Sequence, residues 1–147
     1  MSHADTAKIN HERHFNCAQA VFSTYAAELG LERDQALKVA SAFGGGMGRM
    51  GGTCGAITGA YMAISLKYGM VDPADQAAKE KTYAVVQAFA QQFKERFGGL
   101  DCRDLLGVDL STPEGFAFAR EQGLFTQRCA LFIEAATEIL DERLLTP

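Results

Sequence analysis

A glycine-rich stretch from Phe43 to Gly59 constrains the fold of this chain more than any other feature of its sequence. It reads F-G-G-G-M-G-R-M-G-G-T-C-G-A-I-T-G, and eight of its seventeen residues are glycine. Glycine reaches positive φ and lets another backbone come close, but each glycine adds conformational entropy that folding must overcome. The run therefore predicts a shaped loop between two helical segments.

A helix that carries a thiol is predicted directly after this loop. Thr53 is a suitable N-cap, which places Cys54 in the first helical turn. Unpaired backbone N–H groups and the positive end of the helix dipole favour a thiolate there and lower its pKa. Small residues then recur at every fourth position, at Gly51, Gly55, Gly59 and Ala63. They predict a helix face that a second helix can approach closely.

The rest of the chain has the pattern of an all-α protein. Only three prolines occur in 147 residues, strand-like alternation is absent, and alanine-rich segments repeat apolar residues at helical spacing. We expect a single compact helical bundle of about five to six helices over residues 1–147, with a flexible N-terminus over residues 1–10. The first helix is predicted from His11 to Leu29. The almost wholly apolar segment from Cys54 to Tyr68 is the predicted central helix.

Charge and hydropathy exclude several classes of function. The chain has 14 basic and 18 acidic residues, a net charge of −4, and no basic cluster, so we expect no nucleic-acid partner. The apolar run from Ala56 to Leu66 is shorter than the roughly 20 residues that span a bilayer, so no membrane segment is predicted. The polar stretch up to His14 does not resemble a secretory signal, and we expect a cytoplasmic protein. Cytosolic thiols stay reduced unless they are catalytic, redox-sensing or metal-bound.

Four cysteines are the candidate functional residues: Cys17, Cys54, Cys102 and Cys129. No C-x-x-C occurs, which argues against the usual zinc and thioredoxin patterns. Cys54 and Cys102 fall at predicted helix starts, whereas Cys17 and Cys129 lie on helix faces. If the bundle brings all four together, they form two thiol pairs for exchange or a four-thiolate zinc or iron–sulfur site. The alternative is that they are inert, buried small hydrophobes in a helical interaction domain.

A few other residues are candidates for supporting roles. Arg49 and Arg103 each lie near a cysteine, and either can stabilise a thiolate or bind an anionic substrate, or instead be solvated or cap a helix. His14 lies one turn before Cys17, and we expect it to be exposed rather than a ligand. The string G-x-G-x-x-G over residues 46–51 is not a dinucleotide motif, because that motif follows a strand and here a helix precedes it.

The cysteines and the segment around Cys54 resemble the family of redox-active proteins labelled C_GCAxxG_C_C. The central motif reads C-G-A-I-T-G over residues 54–59, and Cys17, Cys102 and Cys129 occupy the other cysteine positions in order. The label writes glycine before cysteine, whereas here Gly55 follows Cys54. The resemblance extends over about residues 16–136.

The resemblance implies a redox function for the four cysteines and, since family genes are said to lie near transporter genes, a link to a transport system. Our leading hypothesis is a thiol oxidoreductase in which Cys54 attacks a disulfide or oxidant and Cys17, Cys102 or Cys129 resolves the intermediate. Its substrate would be a redox partner or a small thiol or disulfide. The alternative is a binding protein in which the four thiolates hold zinc or an iron–sulfur cluster for transport or electron transfer.

Overall fold

The computed structural model describes residues 1–145, and this part of the chain is all-helical. Within it, eight α-helices follow one another: α1 (His3–Glu12), α2 (Cys17–Ala26), α3 (Arg33–Ala40), α4 (Gly55–Tyr68), α5 (Gln76–Phe97), α6 (Cys102–Leu106), α7 (Pro113–Glu121) and α8 (Leu124–Leu145). The all-α prediction is confirmed, but the predicted five to six helices are too few. Residues 146 and 147 of the predicted domain lie outside the described residues, and the division into domains stays a prediction.

The count is higher partly because the helix predicted from His11 to Leu29 is two helices. His14 has a φ of 75°, in the left-handed region, and therefore ends the helical path after α1. Asn16 then caps α2: its side chain accepts from the backbone N–H of Gln19 at 2.9 Å, and its own N–H donates to the Gln19 side chain at 3.1 Å. This capping box makes Cys17 the first residue of a helix rather than an internal one.

Most of residues 1–10, which we expected to be flexible, are helical in the structure, and their flexibility stays a prediction. Ser2 forms a capping box with Asp5, and α1 packs against α2 and α8. The His3 imidazole lies between the carboxylates of Glu28 and Asp141, at 2.9 and 2.7 Å. These contacts hold the start of the chain to the end of α8.

The predicted central helix is confirmed, because α4 contacts α2, α5 and α8. The largest fully buried side chains come from these four helices: Val21, Ile57, Ile64, Phe89, Phe93, Phe132, Ile133, Thr137 and Leu140. Burying one large apolar side chain contributes about 1.5–3 kcal/mol, so this layer contributes a large part of the driving force for folding. Although α4 is apolar, no helix in residues 1–145 has both the length and the apolarity needed to cross a membrane.

The small face of α4 is in close contact with α2. A Cβ added at Gly59 would lie 2.7 Å from the carbonyl oxygen of Ala18, and one at Gly55 would lie 2.9 Å from the Ala18 nitrogen. Real Cβ atoms do not approach backbone so closely, so both glycines are required by the helix crossing. Gly51 shares the predicted spacing but lies in the loop before α4. The crossing matters for function because α2 begins at Cys17 and α4 begins just after Cys54.

Candidate functional site

Three of the four cysteines lie at helix N-termini. Cys17 is the first residue of α2, Cys102 is the first residue of α6, and Cys54 is the N-cap of α4. We expected Thr53 to be the cap of α4, and the structure moves the cap by one residue because Thr53 is paired with Asp101. Cys129 differs from the other three, since it lies on α8, more than one turn after Leu124.

A short backbone bridge ties two of these helix starts together. Thr53 and Asp101 form an isolated antiparallel bridge. On either side of it, the Cys54 N–H donates to the Leu100 carbonyl at 2.9 Å, and the Cys102 N–H donates to the Gly52 carbonyl at 2.6 Å. Each cysteine follows a bridge residue directly. The bridge therefore fixes the starts of α4 and α6 relative to each other, although they are far apart in sequence.

The glycine-rich loop that leads into this bridge has an unusual backbone. Residues 45–49 are five consecutive positions with φ between 60° and 73°. Two of the five, Met47 and Arg49, are not glycine, and a left-handed conformation costs such a residue about 1–2 kcal/mol. Gly46 has no space for a side chain, because an added Cβ would lie 2.6 Å from the Gly52 nitrogen. The loop is thus shaped, as predicted, and it brings Gly52 to the Cys102 N–H.

All four cysteines line one cavity of about 820 Å³. Its rim is formed by exposed residues, among them His14 and Arg49, whereas its floor contains the buried Cys54, Cys102 and Cys129. Cys17 is half-buried and is the most exposed of the four. Aromatic rings complete the wall, from Phe15, Phe116, Phe125 and Phe132. The structure therefore brings together cysteines that are separated by up to 112 positions in sequence.

Cys17 and Cys129 form a hydrogen-bonded pair within this cavity. The Cys17 S–H donates to the Cys129 sulfur, which lowers the pKa of Cys129, and the positive charge of Arg128 lowers it further against the opposing effect of burial. The same hydrogen bond, together with burial and the neighbouring thiols, raises the pKa of Cys17 well above its usual value. This interaction thus favours ionisation of Cys129 over that of Cys17.

The pKa values of Cys54 and Cys102 are raised, whereas we expected a helix start to lower them. Burial raises the pKa of Cys54 to about 12, and the backbone N–H groups of Ala56 and Ile57 offset it only in part. The Cys54 side chain does not cap α4 with a hydrogen bond. Burial and the nearby Cys129 likewise raise the pKa of Cys102 to about 12. A helix start favours a thiolate, but at the floor of a cavity desolvation is the larger effect.

The basic residues near the cysteines have different environments. Arg103 pairs with Asp109 at 3.5 Å and does not line the cavity. Arg49 does line it, with its guanidinium 4.0 Å from the centre of the Phe116 ring. The sequence reasoning missed Arg128, whose side chain donates to the Leu105 carbonyl at 3.1 and 3.3 Å. Arg128 is adjacent to Cys129 in sequence, as Arg103 is to Cys102, and this adjacency could have identified it.

The arrangement of side chains does not match a metal site. Among residues 1–145, no group of three or more His, Cys, Asp or Glu side chains has the geometry to hold a metal ion. Metal-bound cysteines are deprotonated, whereas burial favours the protonated form of three of these four thiols. The described side chains therefore show thiols that are not arranged around a metal ion, and the zinc or iron–sulfur alternative stays a prediction.

The fold and the cavity define a helical protein in which four cysteines converge. Comparison with protein families identifies its family: a family model described as "Putative redox-active protein (C_GCAxxG_C_C)" matches residues 15–143. The chain belongs to this family. Neither the comparison with curated proteins nor that with solved structures gave a match.

Proposed function

We propose that this protein is a thiol oxidoreductase in which Cys17 and Cys129 are the reactive pair. The observation that carries the proposal is that both thiols line one cavity that reaches the surface, where they are close enough for Cys17 to lower the pKa of Cys129. A thiolate is the attacking species in thiol–disulfide exchange, and Cys129 is the one cysteine of the four whose pKa is lowered. Cys54, our first choice from the sequence, is less suitable because burial favours its protonated form.

The reaction proceeds in two balanced steps. In the first, the Cys129 thiolate attacks one sulfur of a substrate disulfide, which forms a mixed disulfide and releases the other half as a thiolate. In the second, Cys17 loses its proton to solvent and attacks the Cys129 sulfur, so that a Cys17–Cys129 disulfide forms, the mixed disulfide bond breaks and the remaining half leaves as a second thiolate. Solvent protonates both released thiolates. Two protein thiols are oxidised and one disulfide is reduced to two thiols. The reverse direction oxidises a substrate dithiol by the same steps.

Cys54 and Cys102 form a second pair in this proposal. Both thiols line the same cavity, and the bridge between Thr53 and Asp101 fixes their relative position. Their raised pKa values make them slower nucleophiles at neutral pH. Thiols that exchange with disulfides are kept reduced in the cytosol, and we therefore propose that this activity is cytoplasmic.

The proposal is tested by mixing reduced protein with an excess of a small disulfide and following thiol release. We expect a fast phase of about one disulfide reduced per chain, since one cysteine pair supplies two electrons. Cys17→Ser should release a single thiol and stop at the mixed disulfide, and Cys129→Ser should lose the fast phase. Cys54→Ser is the matched control and should keep it.

Metal analysis of protein purified without oxygen distinguishes the alternative. Stoichiometric zinc or iron that disappears in Cys54→Ser, together with four thiols that do not react with a disulfide, would show that the cysteines are ligands and overturn the proposal. Four thiols that are unreactive in metal-free protein would overturn it as well, and would favour inert cysteines. A fast phase that survives in Cys129→Ser would show that the reactive pair is assigned wrongly.

A further inference from the structure

The cavity is polar at its rim and apolar further in. Exposed residues form the rim, including Glu12, His14 and Arg49. Behind the rim lie Phe116 and Phe125, and the buried thiols form the floor. At about 820 Å³ the cavity lies within the roughly 300–1,000 Å³ typical of small-molecule sites. Its size therefore suits a small substrate, whereas its rim holds charges that can orient one.

Arg49 is held in place at this rim at a cost in backbone energy. Its φ is 64°, in the left-handed region, and its guanidinium lies 4.0 Å from the centre of the Phe116 ring. Gly45 leaves room for it, because an added Cβ there would lie 2.8 Å from the Arg49 side chain. Backbone strain of this kind persists where the surrounding structure enforces it, and it concentrates at ligand sites.

Arg49 also differs from the neighbouring cations in having no carboxylate partner among the described residues. Lys8, the other cation at the cavity, pairs with Glu134 at 3.2 Å, and Arg103 pairs with Asp109 at 3.5 Å. No ion pair involves Arg49 in residues 1–145. A guanidinium that lies over an aromatic ring keeps its N–H groups free to donate in the plane of the guanidinium.

The other charged groups at the cavity indicate where an anion can bind. Glu12 and His11 lie on α1 and also line the cavity. Burial lowers the pKa of His11, so this imidazole is neutral at pH 7. An anion beside Glu12 would be repelled, whereas one beside Arg49 would be attracted, which leaves the Arg49 side as the favourable position.

We propose that the substrate is a small disulfide bearing a carboxylate, and that Arg49 binds this carboxylate while the disulfide reaches Cys129. The disulfide is a substrate only if the proposed function holds, so this part of the proposal rests on that function. Binding of a carboxylate at Arg49 does not depend on it and can be tested separately. Arg49 donates two N–H groups to the carboxylate, and the rings of Phe116 and Phe125 contact the methylene groups. The electrons and protons move as described for the reactive pair.

Three disulfides of similar length and different charge test the proposal: dithiodipropionate, hydroxyethyl disulfide and cystamine, which are anionic, neutral and cationic. Each rate constant with the reduced protein is divided by that with a small free thiol, which corrects for intrinsic reactivity. We expect the protein to favour dithiodipropionate over hydroxyethyl disulfide by about tenfold, a size typical of one charge-assisted hydrogen-bonded pair. Cystamine should be slower than both. Equal corrected rates for all three would overturn the proposal.

Two arginines on the same ring provide a matched pair of variants. Arg49→Gln should lose the preference for dithiodipropionate over hydroxyethyl disulfide, because the charged contact is removed. Arg120 lies 5.3 Å from the same Phe116 ring but does not line the cavity, so Arg120→Gln should keep the preference. A preference that persists in Arg49→Gln, or is lost equally in both variants, would contradict the assignment.

Suberate separates this inference from the proposed function. It has the length and the two carboxylates of dithiodipropionate but no sulfur, so its binding requires no redox step. We expect NMR shifts from suberate in wild-type protein and in Arg120→Gln, and their loss in Arg49→Gln. If suberate binds in this way but no disulfide reacts, the carboxylate site stands and the proposed function falls. If disulfides react but suberate binding does not depend on Arg49, the inference falls and the proposed function stands.

Discussion

Replacing Gly46 with alanine tests whether the glycine-rich loop is shaped by a close backbone contact. Gly46 has a φ of 73°, and a Cβ there would lie 2.6 Å from the Gly52 nitrogen and 2.7 Å from the Gly52 oxygen. The Gly52 N–H donates to the Gly46 carbonyl at 2.8 Å, and the Gly52 carbonyl accepts from the Cys102 N–H. The substitution therefore pushes apart the backbone that fixes the start of α6.

Gly48 provides the matched control. Its φ is 60°, but an added Cβ would meet no atom within 4 Å. Both alanine variants carry the left-handed penalty of about 1–2 kcal/mol, of which about 0.5–1 is recovered from the less flexible unfolded chain. Gly48→Ala should thus lose about 0.5–1 kcal/mol. Gly46→Ala adds overpacking against rigid backbone, about 1–3 kcal/mol, for a total of about 1.5–4 kcal/mol.

For both variants the free energy of unfolding is measured by urea titration and the Tm by thermal melting, each followed by circular dichroism. For a chain of this size we expect the Tm of Gly46→Ala to fall by about 5–12 °C and that of Gly48→Ala by about 2–3 °C. Alkylation of Cys102 should also become faster in Gly46→Ala alone, because the start of α6 moves. Equal stability losses in the two variants would refute the argument that Gly46 is required by contact rather than by its φ alone.

Three further predictions concern the helix crossing, the N-terminal ion pairs and the reactive pair. Gly59→Ala should destabilise the protein by about 1–2 kcal/mol, because overpacking against Ala18 outweighs the gain in helix propensity. His3→Gln should reduce the free energy of unfolding at about pH 6 and have little effect at about pH 9. Arg128→Met should slow alkylation of Cys129 at pH 7 by about three- to tenfold, because it removes a charge that lowers the pKa of this thiol.

The sign of the His3 prediction follows from its environment. Burial lowers the pKa of His3, but hydrogen bonds to Glu28 and Asp141 outweigh it and raise the pKa above 6.5. The stabilisation is therefore present below the unfolded pKa and is lost as the pH rises through the folded one. If the free energy of unfolding of His3→Gln differed from that of wild type by the same amount at pH 6 and at pH 9, the His3 prediction would be contradicted. A Gly59→Ala variant as stable as wild type, or an Arg128→Met variant with an unchanged alkylation profile, would contradict the other two.

Much of the fold could be predicted from periodicity, because the core helices carry their apolar stripes in the sequence. The centre of the bundle at α4 and the close approach at Gly55 and Gly59 follow from residue size and spacing alone. The break between α1 and α2 was missed although Asn16 and Gln19 form a recognisable capping box. Apolar residues continue at helical spacing across the break, and this pattern concealed the local signal.

The chemistry of the site was harder to predict, because it depends on contacts between distant segments. That Cys54 lies at a helix start is a local property, and it was found. That burial raises the pKa of Cys54 to about 12 depends on the helices packed over it. The same holds for Cys129, whose lowered pKa depends on Cys17, which lies 112 positions earlier in the chain. Spacing in a single sequence contains no information on which thiols meet.

Mapping the first disulfide to form tests the central claim most directly. Reduced protein is treated with one equivalent of a small disulfide, the remaining thiols are blocked with an alkylating agent, and the peptides are identified by mass spectrometry. We predict that Cys17 and Cys129 are joined while Cys54 and Cys102 are alkylated. A first disulfide between Cys54 and Cys102, or four alkylated cysteines after complete exposure to the oxidant, would contradict the account.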